Sequence, residues 1–379
     1  MRVWTNSTGR FHNVDSDFVD LDSASGEPLH PAAREVLLAA LDRAYADPRR
    51  LHRRGRDSRL LLDNAREVTA SALGVRPDEV TFTPSGTHAV RLGLLGLVRP
   101  GARRAVIAHT AVEHSSVIHA ARWGGDPTSV PVDREGRVVL SAMPAEADVI
   151  ACQTANHEVG TVQPVAELAA SSPAPLFLDA CASMGRLPLP SGWASAAGSA
   201  HKWGGPAGVG VLLVRQRTRW RPPFPDDDRA DPRTTGFENV PAALAAAAAL
   251  QAVVSEREEV GSRQRDLTAV IRTRMAQVPD VDVVGHPDAR LPHLVTFSAL
   301  YVNGEALVRE LDRRGFGVAS GSACTASSLE PSHVLAAMGA LTHGNVRVSL
   351  GRTTTRAQVA AFCTAVTEVI ATLRREAGV

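Results

Sequence analysis

The segment GSAHKWGGPAGVG, residues 198–210, holds Lys202, the single lysine of the chain; every other Lys/Arg position is arginine. Arginine stays protonated in proteins, whereas a lysine amine can lose its proton, attack a carbonyl and form a Schiff base. A chain this biased toward arginine still needs a lysine if it carries an imine. The small residues after Lys202 let the backbone approach a bound group closely. Three other segments carry complementary chemistry. Ser85, Gly86 and Thr87 in TPSGTHAV open a helical pattern, and helix N-termini bind phosphate through their N–H groups. Asp179 closes the apolar run APLFLDA, so its carboxylate can emerge at the C-terminal edge of a sheet, where open α/β sheets bind ligands. His114 follows the run AVIAH and offers a flat ring. Each residue also has a structural use on its own. In this order, they are what pyridoxal phosphate asks of a protein.

The elements that must position them follow from periodicity. PAAREVLLAALDRAYA and DSRLLLDNAREVTASALGV have helical spacing, the second with Asp57 or Ser58 as the expected cap. EVTFTP, RRAVIAH, DVIACQT, APLFLDA and VGVLLVR read as strands, and THAVRLGLLGLV as a helix. Strands separated by helical segments imply a largely parallel α/β sheet. The Pro/Asp/Arg-rich loop RWRPPFPDDDRADPRTTGF precedes a long helical stretch over residues 241–275. The expected division is a large domain over residues 20–250 and a small α+β domain over residues 251–379, with residues 1–19 returning to it. A chain of 379 residues with 44% hydrophobic content can fill two such cores.

Charge narrows the partners. With 41 basic and 40 acidic residues the formal net charge is +1, and no long basic run stands apart from acidic residues, so no nucleic-acid partner is expected. The short run RRLHRRGR, residues 49–56, reads as a solvated face or a loop near a phosphate. The N-terminal residues lack an apolar signal core. VPAALAAAAALQAVV is too short for a bilayer, which takes ~20 residues. A cytoplasmic chain with no membrane partner is expected. Cys152, Cys181, Cys324 and Cys363 lack metal-ligand spacing, so no metal site is expected, and they read as thiols. Three sit in apolar stretches and read as core residues. Cys324 lies in GVASGSACTASS, the small, polar setting of an accessible thiolate.

Over residues 19–372 the chain resembles the cysteine desulfurases, within the class V, fold-type I pyridoxal-phosphate enzymes. The segments that carry the resemblance include EVTFTPSGTHAV, VEHSSV, NHEVGTVQP, FLDACASMGRLPL, GSAHKWGGPAGVGVLLVR, GSACTASSLEPSHVLAAMG and VRVSLGRTTT. The lysine segment is specific to the superfamily, and GSACTASSLEPSHVL to the desulfurases. The resemblance implies a fold-type I α/β transferase with a mostly parallel central sheet and a smaller α+β domain. It implies that Lys202 carries the cofactor, Asp179 pairs with the pyridine nitrogen, and His114 stacks on the ring and transfers protons. Gly86, Thr87, Ser199 and His201 would hold the phosphate. Asn156 would lie near the ring hydroxyl and the substrate carboxylate, which Arg347 would grip bidentately. Cys324 would take sulfur from L-cysteine as a persulfide, leaving L-alanine, and pass it to an acceptor protein. A homodimer is also implied.

The sequence departs from the family pattern in places. Ala182 stands where a glutamine commonly donates to the cofactor ring oxygen. Thr234 and Phe237 stand where arginine and threonine are common, and DSASGEP and PSGTHA also differ. Two other readings therefore stay open. One is a different pyridoxal-phosphate reaction, such as aminotransfer, β-elimination or cysteine C–S lysis. The other is a non-catalytic scaffold or sulfur-relay partner.

Overall fold

The structure, a computed structural model, describes residues 18–43, 45–99, 101, 103–225, 231–234, 236–320 and 331–379. β1 (Val19–Asp20), α1 (Pro31–Arg43) and α2 (Arg53–Leu73) come first. Then follow β2 (Val80–Thr83), α3 (Gly86–Leu95), β3 (Val106–Thr110), α4 (Ser115–Gly124), β4 (Asp126–Val130) and β5 (Val149–Gln153). α5 (Val165–Ser171), β6 (Leu176–Asp179), β7 (Ser195–Ser199) and β8 (Gly210–Val214) complete this half. α6 (Val240–Ala276) leads to β9 (Val281–Val284), β10 (Leu294–Ala299), α7 (Gly304–Arg313) and β11 (Phe316–Gly317). The chain closes with α8 (His333–Ala337), β12 (Asn345–Ser349) and α9 (Arg356–Glu376).

The central sheet has the order β2-β8-β7-β6-β5-β3-β4. β8 runs antiparallel to both neighbours, and β7, β6, β5, β3 and β4 are mutually parallel. Alternate residues serve opposite faces. Ile150, Cys152, Leu176 and Leu178 pack in one apolar layer with the first half of α6. Val149, Ala151 and Phe177 pack in the other, with residues of α3 and α4. Burial on both faces is why these strands read as unbroken apolar runs. β7 and β4 lack such runs: SAAGS is all small residues, and DPTSV contains a proline. β4 is an edge strand, where proline's missing N–H costs least.

α2 begins earlier than the sequence pattern indicates. His52 caps it, Nδ1 accepting the Gly55 N–H at 3.2 Å. Asp57 and Ser58 lie inside the helix, and the buried Ser58 hydroxyl donates to the Ala46 carbonyl at 2.7 Å.

A second core gathers Val295, Phe297, Val346 and Val348 of the antiparallel sheet β12-β10-β9. Leu267, Ile271 and Met275 of α6 join it, whereas Ala245, Ala246 and Leu250 of the same helix join the first core. The expected division at residue 250 thus falls within one helix that serves both cores. Leu21 also packs in the second core, and β1 pairs with β11, so the returning N-terminal segment extends beyond residue 19. Among the described residues, α9 is long and apolar enough to cross a membrane. Its Val359, Phe362, Val366, Val369 and Ile370 are buried in this second core.

Candidate active site

The parallel strands and β2 end at one edge of the sheet, and the chemistry-bearing residues follow those ends. Gly86 and Thr87 follow β2, His114 follows β3, Asp179 ends β6, and Ser199, His201 and Lys202 end and follow β7. Gln153, Asp179 and Ala197 lie in register across β5, β6 and β7. A cavity of about 140 Å³ opens at this edge, with Gly86, Thr87, His114, Asp179, Ser199, His201 and Lys202 on its wall. It occupies the crevice at the strands' carboxyl ends where such sheets bind ligands. A larger cavity, about 380 Å³, lies between residues 18–31, α6 and residues 351–358. Lys202, Asp179 and His114 are not on its wall.

One end of the first cavity suits an anion. Ser85 caps α3, its hydroxyl accepting the His88 N–H at 3.1 Å. Gly86 opens the helix against the end of β7. A Cβ there would meet Ser199 Cβ at 2.6 Å and Ser199 Oγ at 2.8 Å. Glycine therefore lets the helix N-terminus and the Ser199 hydroxyl converge. Ser199 Oγ also lies 3.1 Å from His201 Nδ1.

Asp179 is 6% exposed, and its Oδ1 accepts the Cys181 N–H at 2.9 Å. Lys202 stands in the tight turn Ala200–Trp203. Trp203 anchors this turn, buried with its indole N–H donating to the Ala246 carbonyl at 3.1 Å. Arg186 donates to the Lys202 carbonyl at 3.2 Å and pairs with Glu27 at 2.7 Å.

His114 caps α4. Its Nδ1 accepts the Ser116 N–H at 3.1 Å, which assigns the ring proton of the neutral form to Nε2. Burial lowers its pKa, against the opposing pull of Asp179. The His157 ring meets it edge-on, with centroids 5.2 Å apart. Behind His114, Glu113 is fully buried. Its Oε1 accepts from the Thr110 hydroxyl at 2.6 Å and the Gln153 N–H at 2.8 Å. Burial, reinforced by Asp179, pushes its carboxyl up to about 8.

Two residues expected at the ligand do not line this cavity. Asn156 is fully buried and does not line the cavity. Its amide donates to the Val112 carbonyl at 3.0 Å, and its oxygen accepts the N–H groups of Glu158 and Val159 at 2.8 and 2.7 Å. It shapes the loop, and the adjacent His157 faces the cavity instead. Arg347 is buried, with its guanidinium donating to Asp22 at 2.9 Å, Ser25 at 2.7 Å and the His157 carbonyl at 3.1 Å. Its Nε has no partner among the described residues. Cys324 lies outside the described residues.

The pattern reading missed His157 and Gln153 on the cavity wall, although both stand at or just past the end of β5. Apolar neighbours in sequence place Cys181 in the core, whereas Cys181 lines the cavity beside Ala182. Phe237 is 58% exposed and lines a separate hollow with His88.

The sequence profile of the family Aminotransferase class-V matches residues 19–362. An IscS-like cysteine desulfurase of Mycobacterium tuberculosis is 35% identical, over 94% of this chain and 97% of that protein. The cysteine desulfurase NifS of Azotobacter vinelandii is 33% identical, over 94% and 93% respectively. Among solved structures, a NifS-like protein superposes with a TM-score of 0.86 at 25% identity, covering 94% of this chain and all of that one. The chain belongs to the aminotransferase class-V family.

Proposed function

We propose that the chain is a pyridoxal-phosphate-dependent cysteine desulfurase, converting L-cysteine to L-alanine and handing the sulfur to an acceptor protein. The observation that carries this is the meeting of Lys202, Asp179 and His114 in one cavity whose far end is the Gly86–Ser199 cradle. The donor set fits the cofactor. A buried carboxylate suits a pyridinium nitrogen, a lysine amine a carbonyl carbon, and helix N–H and hydroxyl groups a phosphate. When bound, the cofactor supplies an electron sink for the substrate's Cα.

The chain supplies the rest. Asp179 holds the ring nitrogen, and Gly86, Thr87, Ser199 and His201 hold the phosphate. His114, kept neutral by burial, stacks on the ring and carries a proton at Nε2. Arg347 is the cation assigned to the substrate carboxylate; to grip it bidentately, its Nη2 must exchange Asp22 for the substrate. Relatives named cysteine desulfurases point to L-cysteine as that substrate.

Cys324 is assigned the sulfur. Burial pushes the thiols of Cys152, Cys181 and Cys363 up, which makes them poor thiolates. The Cys324 thiolate attacks the substrate sulfur, an S–S bond forms, and the Cβ–S bond breaks. The electron pair left on Cβ takes a proton, which completes alanine. We assign the protein to the cytoplasm, which suits its free thiols, and to a homodimer, to which the exposed Phe237 offers an apolar contact.

The test compares Lys202→Ala and Cys324→Ala in the presence of pyridoxal phosphate and cysteine. Lys202→Ala should lack the Lys202-dependent visible band before cysteine is added, and lose all turnover after it. Cys324→Ala should keep the absorbance and lose alanine and sulfide production. If Cys324→Ala keeps its turnover, the second reading holds, a lyase or aminotransferase. The small wall residue Ala182 favours that reading.

A further inference from the structure

We infer that His157 is the hydrogen-bond donor to the ring oxygen of the cofactor. The inference rests on the cavity being the pyridoxal-phosphate site. In that molecule the pyridine nitrogen lies opposite the carbon that bonds lysine. The ring oxygen and the phosphate arm flank that carbon on its two sides. Asp179 and Lys202 fix the long axis, and the Gly86–Ser199 cradle fixes the phosphate side. The ring oxygen then faces the rest of the lining, which holds Ser116, Gln153, Ala155, His157, Cys181 and Ala182. The Ser116 hydroxyl is engaged with His114 Nδ1 at 2.7 Å, and the Cys181 sulfur stands beside Gly86 at the phosphate end. Neither alanine has a side-chain donor. The Gln153 amide is held by the Val112 carbonyl at 2.8 Å, and Gln153 does not line the second cavity that His157 shares with Ala182 and Lys202. That leaves His157.

The His157 ring is placed for this. Its Nδ1 is buried without a partner among the described residues, and the ring lines the cavity. His157, Ala182 and Lys202 also share a second small cavity of about 10 Å³, so the imidazole stands on the Ala182 side of Lys202. A glutamine-sized side chain at position 182 would project into the same space. The groups that face His157 are basic: His114, Lys202, Arg347 and His333. With burial they hold the imidazole well below its ordinary pKa, and a neutral imidazole has one N–H to donate. A donor at the ring oxygen withdraws electron density, so the proton on the neighbouring Lys202 nitrogen is held less tightly.

The test titrates the Lys202-dependent visible band of the cofactor-loaded protein and measures cofactor release by equilibrium dialysis. In His157→Ala the band's pH midpoint should rise by about one unit, and the cofactor Kd by about tenfold, the equivalent of about 1.4 kcal/mol. Adding Ala182→Gln to that variant should bring both values back toward wild type, and His157→Gln should stay near it. Should His157→Ala fail to fold, His157→Phe, which fills the volume without a donor, takes its place. An unchanged midpoint in the donor-free variant, whatever its melting temperature, overturns the inference. So does a shifted midpoint that Ala182→Gln cannot restore. A wild-type chain with no Lys202-dependent band overturns the reading of the cavity itself, and this inference with it.

Discussion

The Ser332 hydroxyl donates to Glu158 at 2.8 Å, and so ties the cap of α8 to the loop that carries Asn156 and His157. Ser332 follows the Cys324 segment closely in sequence, and Glu158 follows the cavity-lining His157. Both residues are buried. Together with His333 Nε2, which donates to the Glu113 carbonyl at 2.9 Å, this contact links the chain just after Cys324 to the sheet edge that holds the cofactor residues.

Removing Glu158 should therefore be costly. Glu158→Ala leaves the Ser332 hydroxyl without its acceptor in a buried setting, a loss of about 1–3 kcal/mol. Glu158→Gln keeps an acceptor and should lose about 1 kcal/mol or less. Denaturant unfolding of the two variants checks this. Equal losses would show that the hydrogen bond contributes nothing.

Gly86 should tolerate no side chain. In Gly86→Ala the new Cβ stands 2.6 Å from Ser199 Cβ and forces the helix start away from β7. Cofactor affinity should fall by about tenfold or more, since a lost charged hydrogen bond is worth about 1.5–3 kcal/mol. Dialysis against limiting pyridoxal phosphate measures it. Wild-type retention would contradict the assignment of this cradle to the phosphate.

Two buried acids should make stability fall as pH rises. Burial pushes Glu113 up to about 8 and Glu158 up to about 7, whereas both return to about 4.3 in the unfolded chain. Between those values the folded state binds more protons. Stability should be flat below about pH 4, fall through the window, and level off above about pH 8. Each group contributes a slope of up to about 1.4 kcal/mol per unit. Glu113→Gln should remove its share, as measured by denaturant midpoints at about pH 5.5 and about pH 7.5. An unchanged slope would show that Glu113 is already ionised in the folded chain.

Much of this site is legible in the sequence because strand ends are. An apolar run that stops at Asp179, or a small-residue turn around Lys202, marks the sheet edge without any coordinates. The loop after β5 is not legible in the same way. Asn156 and His157 are adjacent polar residues, and only the Asn156 oxygen accepting two backbone N–H groups decides that Asn156 turns inward and His157 lines the cavity. β7 lacks a periodic signal because its neighbours β6 and β8 bury it whatever its side chains. Cys181 reads as core because spacing cannot show that one side of a buried residue borders a cavity.

In the proposed reaction, substrate sulfur passes to Cys324. Peptide-resolved mass spectrometry of the cofactor-loaded protein after brief exposure to L-cysteine tests it most directly. One added sulfur atom is expected on the peptide containing Cys324, removed by thiol reductant and absent in Lys202→Ala. Alanine formed with no added sulfur on that cysteine would contradict it.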